Sequence, residues 1–163
     1  MQGDAAGLFP NPQRVRDGSV REASMKKSYE YLLERWYQGV AMRRTVDYGN
    51  PNSVKLYNRG SDIFRKAAKD MGDSYPERVS EFARLLGHED PYVRLCAAIS
   101  LAESMPHTVA QLAAVKAIIT DHRKTCDRAE LTGWNWWLNQ PWARPENCTD
   151  FAPENRNCPP REG

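Results

Sequence analysis

The segment His88-Glu-Asp-Pro-Tyr-Val-Arg-Leu-Cys-Ala-Ala-Ile-Ser-Leu-Ala-Glu103 has the pattern of a helix that packs on neighbours. Asp90 can accept hydrogen bonds from the free N–H groups of a first turn, and Pro91 suits the first helical position, where no donor is needed. Apolar residues then recur at helical spacing on one face, namely Val93, Ala97 and Leu101. This segment predicts one helix in a stack of antiparallel helices.

Five further helices are predicted on both sides of that segment. Apolar residues recur every three or four positions at about 28–46, 53–71, 74–86, 108–121 and 127–139. The breaks between them are tight, as at Tyr48-Gly-Asn-Pro51, and tight breaks favour antiparallel neighbours. No alternating β-branched pattern indicates a strand. We therefore expect an all-α fold, a short right-handed stack of about six helices with disordered ends.

Local signals set the expected helix ends. Ser74-Tyr-Pro-Glu77 matches a capping box, which would start the third helix. Gly72 with Asp73 is expected to end the second helix, and Gly87 is expected to end the third in a left-handed conformation. Gly60 lies inside the second helix, where glycine costs about 1 kcal/mol relative to alanine, so we expect a close helix crossing there.

Three regions follow from this pattern. Residues 1–24 contain glycines and prolines without apolar periodicity, and we expect a disordered N-terminal extension. Residues 25–140 form the predicted helical domain, and Met25 is a candidate functional start. Residues 141–163 form a Pro-rich C-terminal tail, predicted to be extended or disordered, with Trp142 and Phe151 as its large anchors.

Composition narrows the classes of function. The chain has 163 residues, of which 40% are hydrophobic, and a formal net charge of +2. This small charge gives no strong attraction to nucleic acid or to an anionic membrane. We find no run of 18 apolar residues and no secretory signal pattern, and we expect a cytoplasmic protein.

The four cysteines are interpreted as reduced thiols rather than as a disulfide framework. Cys96 is expected to be a small buried residue of its helix. Cys148 and Cys158 could pair with each other or with Cys126. No cysteine or histidine spacing matches a zinc site, and neither a metal nor a cofactor is predicted.

Two motifs carry a resemblance to a known family. Asn58-Arg59 and the run Leu85-Leu-Gly-His-Glu-Asp-Pro-Tyr-Val-Arg-Leu-Cys-Ala-Ala98 resemble a family of small bacterial proteins classed as a domain of unknown function. The resemblance covers about residues 28–140 and implies an ARM/HEAT-like αα-superhelix. It also implies a small cytosolic protein, since some relatives look like immunity partners of secreted toxins. It supplies no catalytic residue, and Cys96 replaces the tryptophan that such sequences usually have.

No catalytic motif is present, so the candidate site residues are those suited to binding a protein. They are Trp136, Trp142, Arg94 and Tyr92. Arg94 either forms an intramolecular ladder, with Asp90 or Glu130, or faces a ligand. Trp136 and Trp142 either clamp the tail onto the domain or form an exposed aromatic patch, where tryptophan is a frequent hot spot. A thiolate–imidazole pair of Cys96 with a histidine is the weaker interpretation.

The leading hypothesis is a non-enzymatic module that binds one protein partner, as an immunity protein binds a toxin. The alternative is a nucleic-acid-binding protein or a base-excision enzyme, with Asp127 or Glu130 as its acid. A metabolite-binding regulator is a third interpretation. Basic pairs could bind phosphate, but acidic residues nearby favour a solvated surface; these pairs are Lys26-Lys27, Arg43-Arg44, Arg65-Lys66 and Arg123-Lys124.

Overall fold

The computed structural model of the protein describes residues 25–152. This range contains six α-helices and no strand: α1 (Tyr29–Met42), α2 (Pro51–Ser74), α3 (Val79–Ala83), α4 (Pro91–Ser104), α5 (Val109–Arg123) and α6 (Arg128–Trp137). The all-α prediction is confirmed. The predictions for residues 1–24 and 153–163 lie outside the described residues. None of the helices between residues 25 and 152 has both the length and the apolar character that a membrane crossing requires.

Polar side chains fix the starts of the longer helices. The Oδ1 atom of Asp90 accepts from the Tyr92 N–H at 2.9 Å, and Pro91 is the first residue of α4, both as predicted. Pro51, which we expected to break the chain, is instead the first residue of α2, because a proline needs no donor there. A capping box that we did not predict joins Thr108 and Gln111 at the start of α5.

Helices α1 and α2 form an antiparallel pair that crosses at two glycines. A Cβ atom on Gly60 would lie 2.7 Å from the Gly39 carbonyl oxygen, so only hydrogen atoms fit between the two backbones. The predicted close crossing at Gly60 is confirmed. A contact between the start of one helix and the end of the other shows that the pair is antiparallel. Lys26, just before α1, donates from Nζ to the carbonyl of Ser74, the last residue of α2, at 3.0 Å.

The predicted end of the second helix and the predicted left-handed conformation of Gly87 are wrong. Ser74 is the last residue of α2 and not a cap, since the helix continues through Gly72. Gly72 serves packing instead: a Cβ there would overlap the Ser104 carbonyl oxygen at the end of α4. Gly87 is not left-handed, because no residue of the described range has a positive φ. The chain leaves the third helix through an extended His88.

The predicted third helix is also split. Its first turn, Pro76–Arg78, and its last turn, Arg84–Gly87, are 3₁₀ segments on either side of the five-residue α3. Val79 and Phe82 are buried, and Phe82 meets the Trp36 ring edge-on at 5.3 Å between centroids.

Helix α4 lies at the centre of the core, and residues 95–102 are all buried. The predicted inward residues Val93, Ala97 and Leu101 are among the buried ones. Trp36 of α1 is fully buried, and its Nε1–H donates to Ser100 Oγ at 2.8 Å. Tyr37 and Val109 continue the apolar spacing of their helices but are exposed.

The C-terminal tail is ordered further than we predicted. Residues 141–152 form two 3₁₀ turns, Pro141–Ala143 and Pro145–Asn147, rather than an extended or disordered chain. Ala143 and Cys148 are buried. The Thr149 N–H donates to the His107 carbonyl at 2.9 Å, and Asp150 accepts from the Val109 N–H at 2.8 Å. These contacts fasten the segment to the start of α5.

Candidate functional site

A cleft of about 560 Å³ lies between the α1–α2 pair and α6, with α4 at its base. This volume falls within the ordinary range of ligand sites. Six tyrosine and tryptophan rings contribute to its lining: Tyr48, Tyr57, Tyr92, Trp134, Trp136 and Trp137. The buried residues Leu95, Cys96 and Ile99 of α4 form part of the base.

Arg43 enters the cleft from the end of α1. It is the C-terminal cap of that helix, and its backbone N–H donates to the Gly39 carbonyl at 3.1 Å. The Tyr92 hydroxyl donates to the Arg43 carbonyl at 2.7 Å, and burial raises the pKa of the Tyr92 phenol. The Arg43 guanidinium donates to the Tyr57 hydroxyl at 2.9 Å and lies 4.7 Å from the centre of the Phe64 ring.

The formal charges of the cleft lining sum to zero when Arg43 is counted. Arg65 of α2 lies 3.5 Å from Glu103 of α4, and Arg44 pairs with Asp90 at the start of α4. The lining as a whole carries three arginines and three acidic residues, which are Arg43, Arg44, Arg65, Glu103, Asp127 and Glu130.

The tryptophans of α6 divide between the core and the cleft. Trp137 is buried, and its Nε1–H donates to Glu103 at 2.7 Å. The exposed fraction of Trp136 is 62%, whereas the Trp134 ring packs partly against the core. Trp142, from the C-terminal segment, contacts both Trp136 and Trp137, with centroid separations of 6.4 and 5.9 Å. Trp142 therefore supports the Trp136 ring from behind.

The structure brings together two of the four predicted binding residues. Trp136 and Tyr92 line the cleft, whereas Trp142 lies behind Trp136. Arg94 lies outside the cleft, and both of its predicted acidic partners are wrong. Its Nη1 donates to the carbonyls of His88 at 2.6 Å and Glu89 at 3.0 Å, because the side chain folds back over the turn that precedes α4.

The acids proposed for base excision also lie on the cleft wall, in structural roles. Asp127 caps α6 by accepting from the Glu130 N–H at 2.9 Å. Glu130 is exposed and lies 3.8 Å from His122 Nε2. Both carboxylates are exposed.

Cys96 is a buried packing residue, as predicted, and burial raises the pKa of its thiol. The histidines considered as its partners have other contacts. The Nδ1 atom of His88 accepts from the Asp90 N–H, and Nδ1 of His107 lies 2.9 Å from the Met105 carbonyl oxygen. The side-chain contact of Cys96 is with Arg43, whose Nη1 lies 4.0 Å from the sulfur. Between residues 25 and 152, no group of three or more possible metal ligands occurs.

Sequence reasoning missed Arg43 and Tyr57. Arg43 was interpreted as half of a solvated basic pair, and Tyr57 was not among the candidate site residues. The hydrogen bond between Arg43 and Tyr57 depends on the antiparallel crossing of α1 and α2. The crossing brings these two residues, which are 14 positions apart in the sequence, together at one edge of the cleft. The glycines of the crossing were the available signal, since a close crossing brings the flanking side chains together.

Comparisons of the chain with protein-family models, with curated proteins and with solved structures gave no match. The proposal for the function of this protein therefore rests on its fold and on the cleft.

Proposed function

We propose that this protein is a non-enzymatic binding module that holds one protein partner in the cleft between the α1–α2 pair and α6. Its role would be that of a bacterial immunity protein, which neutralises a toxin by direct contact. The observation that carries the proposal is the exposed Trp136 ring at the cleft, supported from behind by Trp142. An aromatic ring that is already held in place loses little conformational entropy on binding.

The composition of the wall supports a protein partner over a nucleic acid. Aromatic residues and arginine are the residues enriched at binding hot spots, and both are present here. The balanced charges would provide little of the phosphate neutralisation on which affinity for nucleic acids depends. A nucleic-acid-binding protein stays the alternative, because the same rings could stack on bases.

The test is co-expression of the tagged chain with the product of the adjacent gene, followed by affinity purification in high salt. We expect a stoichiometric complex that survives the salt and restores growth. Trp136→Ala should weaken the complex by about 30-fold or more, which corresponds to a hot-spot loss of about 2 kcal/mol. Leu56→Ala is the matched control, since Leu56 is a 50% exposed apolar residue of α2 that does not line the cleft.

Two outcomes would contradict the proposal. The first is a complex that Trp136→Ala and Leu56→Ala affect equally, which would place the interface elsewhere. The second is the absence of a complex together with retention of DNA that disappears as salt rises, which would favour the nucleic-acid alternative.

A further inference from the structure

Arg43 differs from the other arginines of the cleft in its charge balance. Arg44 and Arg65 each lie within ion-pair distance of a carboxylate, whereas no ion pair within residues 25–152 includes Arg43. Its guanidinium is nevertheless half-buried, and a half-buried cation without a counter-ion is costly. No carboxylate of the described residues therefore lies within ion-pair distance of the Arg43 guanidinium.

The hydrogen bonds of this guanidinium are also incomplete. An arginine has five N–H donors, and two acceptors from the protein face this one. The Tyr57 hydroxyl lies at 2.9 Å, and Cys96 Sγ lies at 4.0 Å, where a sulfur is a weak acceptor. The Nε atom is shielded from solvent and has no partner. One N–H on Nη1 and one on Nη2 are thus left for an acceptor from outside the chain.

The surroundings hold the guanidinium in position without neutralising it. Its central carbon lies 4.7 Å from the centre of the Phe64 ring and 5.2 Å from that of Tyr57. Ring faces attract the cation, and the carboxyl end of α1 does so too, but neither carries a full negative charge. Because the cation is already placed, an incoming anion gains charge-assisted hydrogen bonds without the cost of ordering this side chain.

From this geometry we infer that the cleft recognises a carboxylate, an aspartate or glutamate side chain of the protein partner, through Arg43. The residue beside that carboxylate is aromatic or aliphatic and packs on Trp134 and Trp136. A carboxylate fits better than a phosphate, because Glu103, Asp127 and Glu130 line the same cleft and repel a dianion more than a monoanion. This inference rests on the proposed function and specifies the chemistry of the partner.

The experiment uses three small probes on the isotope-labelled full chain: phenylacetate, its neutral analogue phenylacetamide, and phenyl phosphate. Binding is followed by NMR through the Nε–Hε signal of Arg43 and by tryptophan fluorescence. We expect saturable binding of phenylacetate that shifts the Arg43 signal. Phenylacetamide should bind about 10-fold more weakly, and phenyl phosphate no more tightly than phenylacetate.

Variants separate Arg43 from the general charge of the cleft. Arg43→Gln should lower the affinity for phenylacetate about 10-fold, whereas Arg65→Gln, which removes an equal charge from the same lining, should change it less than about threefold. Arg43→Lys keeps the charge but loses the fork of donors, and we expect an intermediate affinity. The titration of the wild-type chain decides the question even if Arg43→Gln does not fold.

Three results would overturn the inference: equal binding of phenylacetate and phenylacetamide, equal losses in Arg43→Gln and Arg65→Gln, or tighter binding of phenyl phosphate. Failure of the proposed function looks different. If phenylacetate binds at Arg43 but no protein partner forms a complex, the carboxylate site stands and the partner proposal falls. If a partner binds and Arg43→Gln leaves that complex unchanged, the carboxylate inference falls and the binding module stands.

Discussion

Asp90 uses its two carboxylate oxygens for different neighbours, and one of them is Arg44. Oδ1 accepts from the Tyr92 N–H at 2.9 Å and caps α4, while Oδ2 accepts from the Arg44 guanidinium just beyond the end of α1. The same guanidinium lies 5.1 Å from the centre of the Tyr92 ring. One carboxylate thereby links the end of the first helix to the start of the central one, next to the cleft.

This contact predicts a dependence of stability on pH. The hydrogen bond with Arg44 and the backbone bond with Tyr92 lower the pKa of Asp90 from its ordinary value of 3.8. The pKa of Asp90 is therefore higher in the unfolded chain than in the folded protein. As a result, the contribution of Asp90 to stability is complete above about pH 4 and is lost as the pH falls through the pKa that Asp90 has in the folded protein. Urea unfolding of the wild type should show a lower midpoint at pH 3 than at pH 6.

Asp90→Asn separates the helix cap, which Oδ1 makes, from the ion pair, which Oδ2 makes. The amide oxygen can still cap α4, but the ion pair is gone, so the loss of stability between pH 6 and pH 3 should be smaller than in the wild type. Asp90→Ala should have the lower midpoint of the two variants at pH 6, because it removes the cap as well. An identical pH dependence in wild type and Asp90→Asn would show that the lowered pKa does not contribute.

The contrast between Asp90 and Arg94 shows what the sequence could predict. The cap at Asp90 is local, because donor and acceptor are two residues apart, and the sequence was sufficient for it. Arg94, one turn away, was one of the predicted partners of Asp90, but the partner is Arg44, 46 positions earlier in the chain. That choice depends on how α1 lies against α4, and no local pattern contains this information.

The same distinction explains the errors at Gly72 and Gly87. Both glycines were interpreted through local conformation, as helix ends, yet the described backbone has no positive φ. Gly72 is required because α2 touches the end of α4, which leaves no room for a side chain. A Cβ on Gly87 would meet no atom within 4 Å, so packing does not require a glycine at that position. Gly60 was predicted correctly because its position inside an apolar pattern already indicated a helix contact rather than a turn.

The crossing of α1 and α2 gives a second prediction. A Cβ on Gly39 would lie 2.5 Å from Phe64 N and 2.7 Å from the Gly60 carbonyl oxygen, and both neighbours are backbone atoms that cannot rotate away. Gly39→Ala and Gly60→Ala should each lower the free energy of unfolding by about 1–3 kcal/mol, as overpacking does. Urea or thermal unfolding followed by circular dichroism measures the loss.

Gly133→Ala is the control for this crossing. Gly133 lies within α6, and a Cβ there would meet no atom within 4 Å. Since alanine favours the helix, this variant should gain up to about 1 kcal/mol. Equal effects of Gly39→Ala and Gly133→Ala would mean that the helices do not approach as closely as the structure shows.

The hydrogen bond between Trp36 and Ser100 gives a third prediction. Both side chains are buried, and Ser100 Oγ is the acceptor for the indole N–H at 2.8 Å. Ser100→Ala leaves that donor unpaired in the core and should cost about 1–3 kcal/mol. Ser61→Ala is the matched control, because the Ser61 hydroxyl donates only to the Tyr57 carbonyl of its own helix. A similar cost for the two variants would contradict this account.

The cysteines give a fourth prediction, read out by the rate of labelling with a thiol reagent. Cys96 is fully buried beneath the cleft, and burial raises the pKa of its thiol, so both access and thiolate formation are suppressed. Cys126 is only half-buried, and we expect it to react faster in the native protein. Mapping the labelled peptides by mass spectrometry separates these two sites from Cys158, which lies outside the described residues.

The rate at Cys96 should then follow global stability, because the base of the cleft is exposed when the core opens. If Gly60→Ala lowers stability by about 1.4 kcal/mol, Cys96 should react about tenfold faster in that variant while Cys126 is nearly unchanged. Equally fast labelling of Cys96 and Cys126 in the native wild type would mean that the cleft opens locally. In that case Arg43, whose guanidinium lies against the Cys96 thiol, would not be held in advance for a partner's carboxylate.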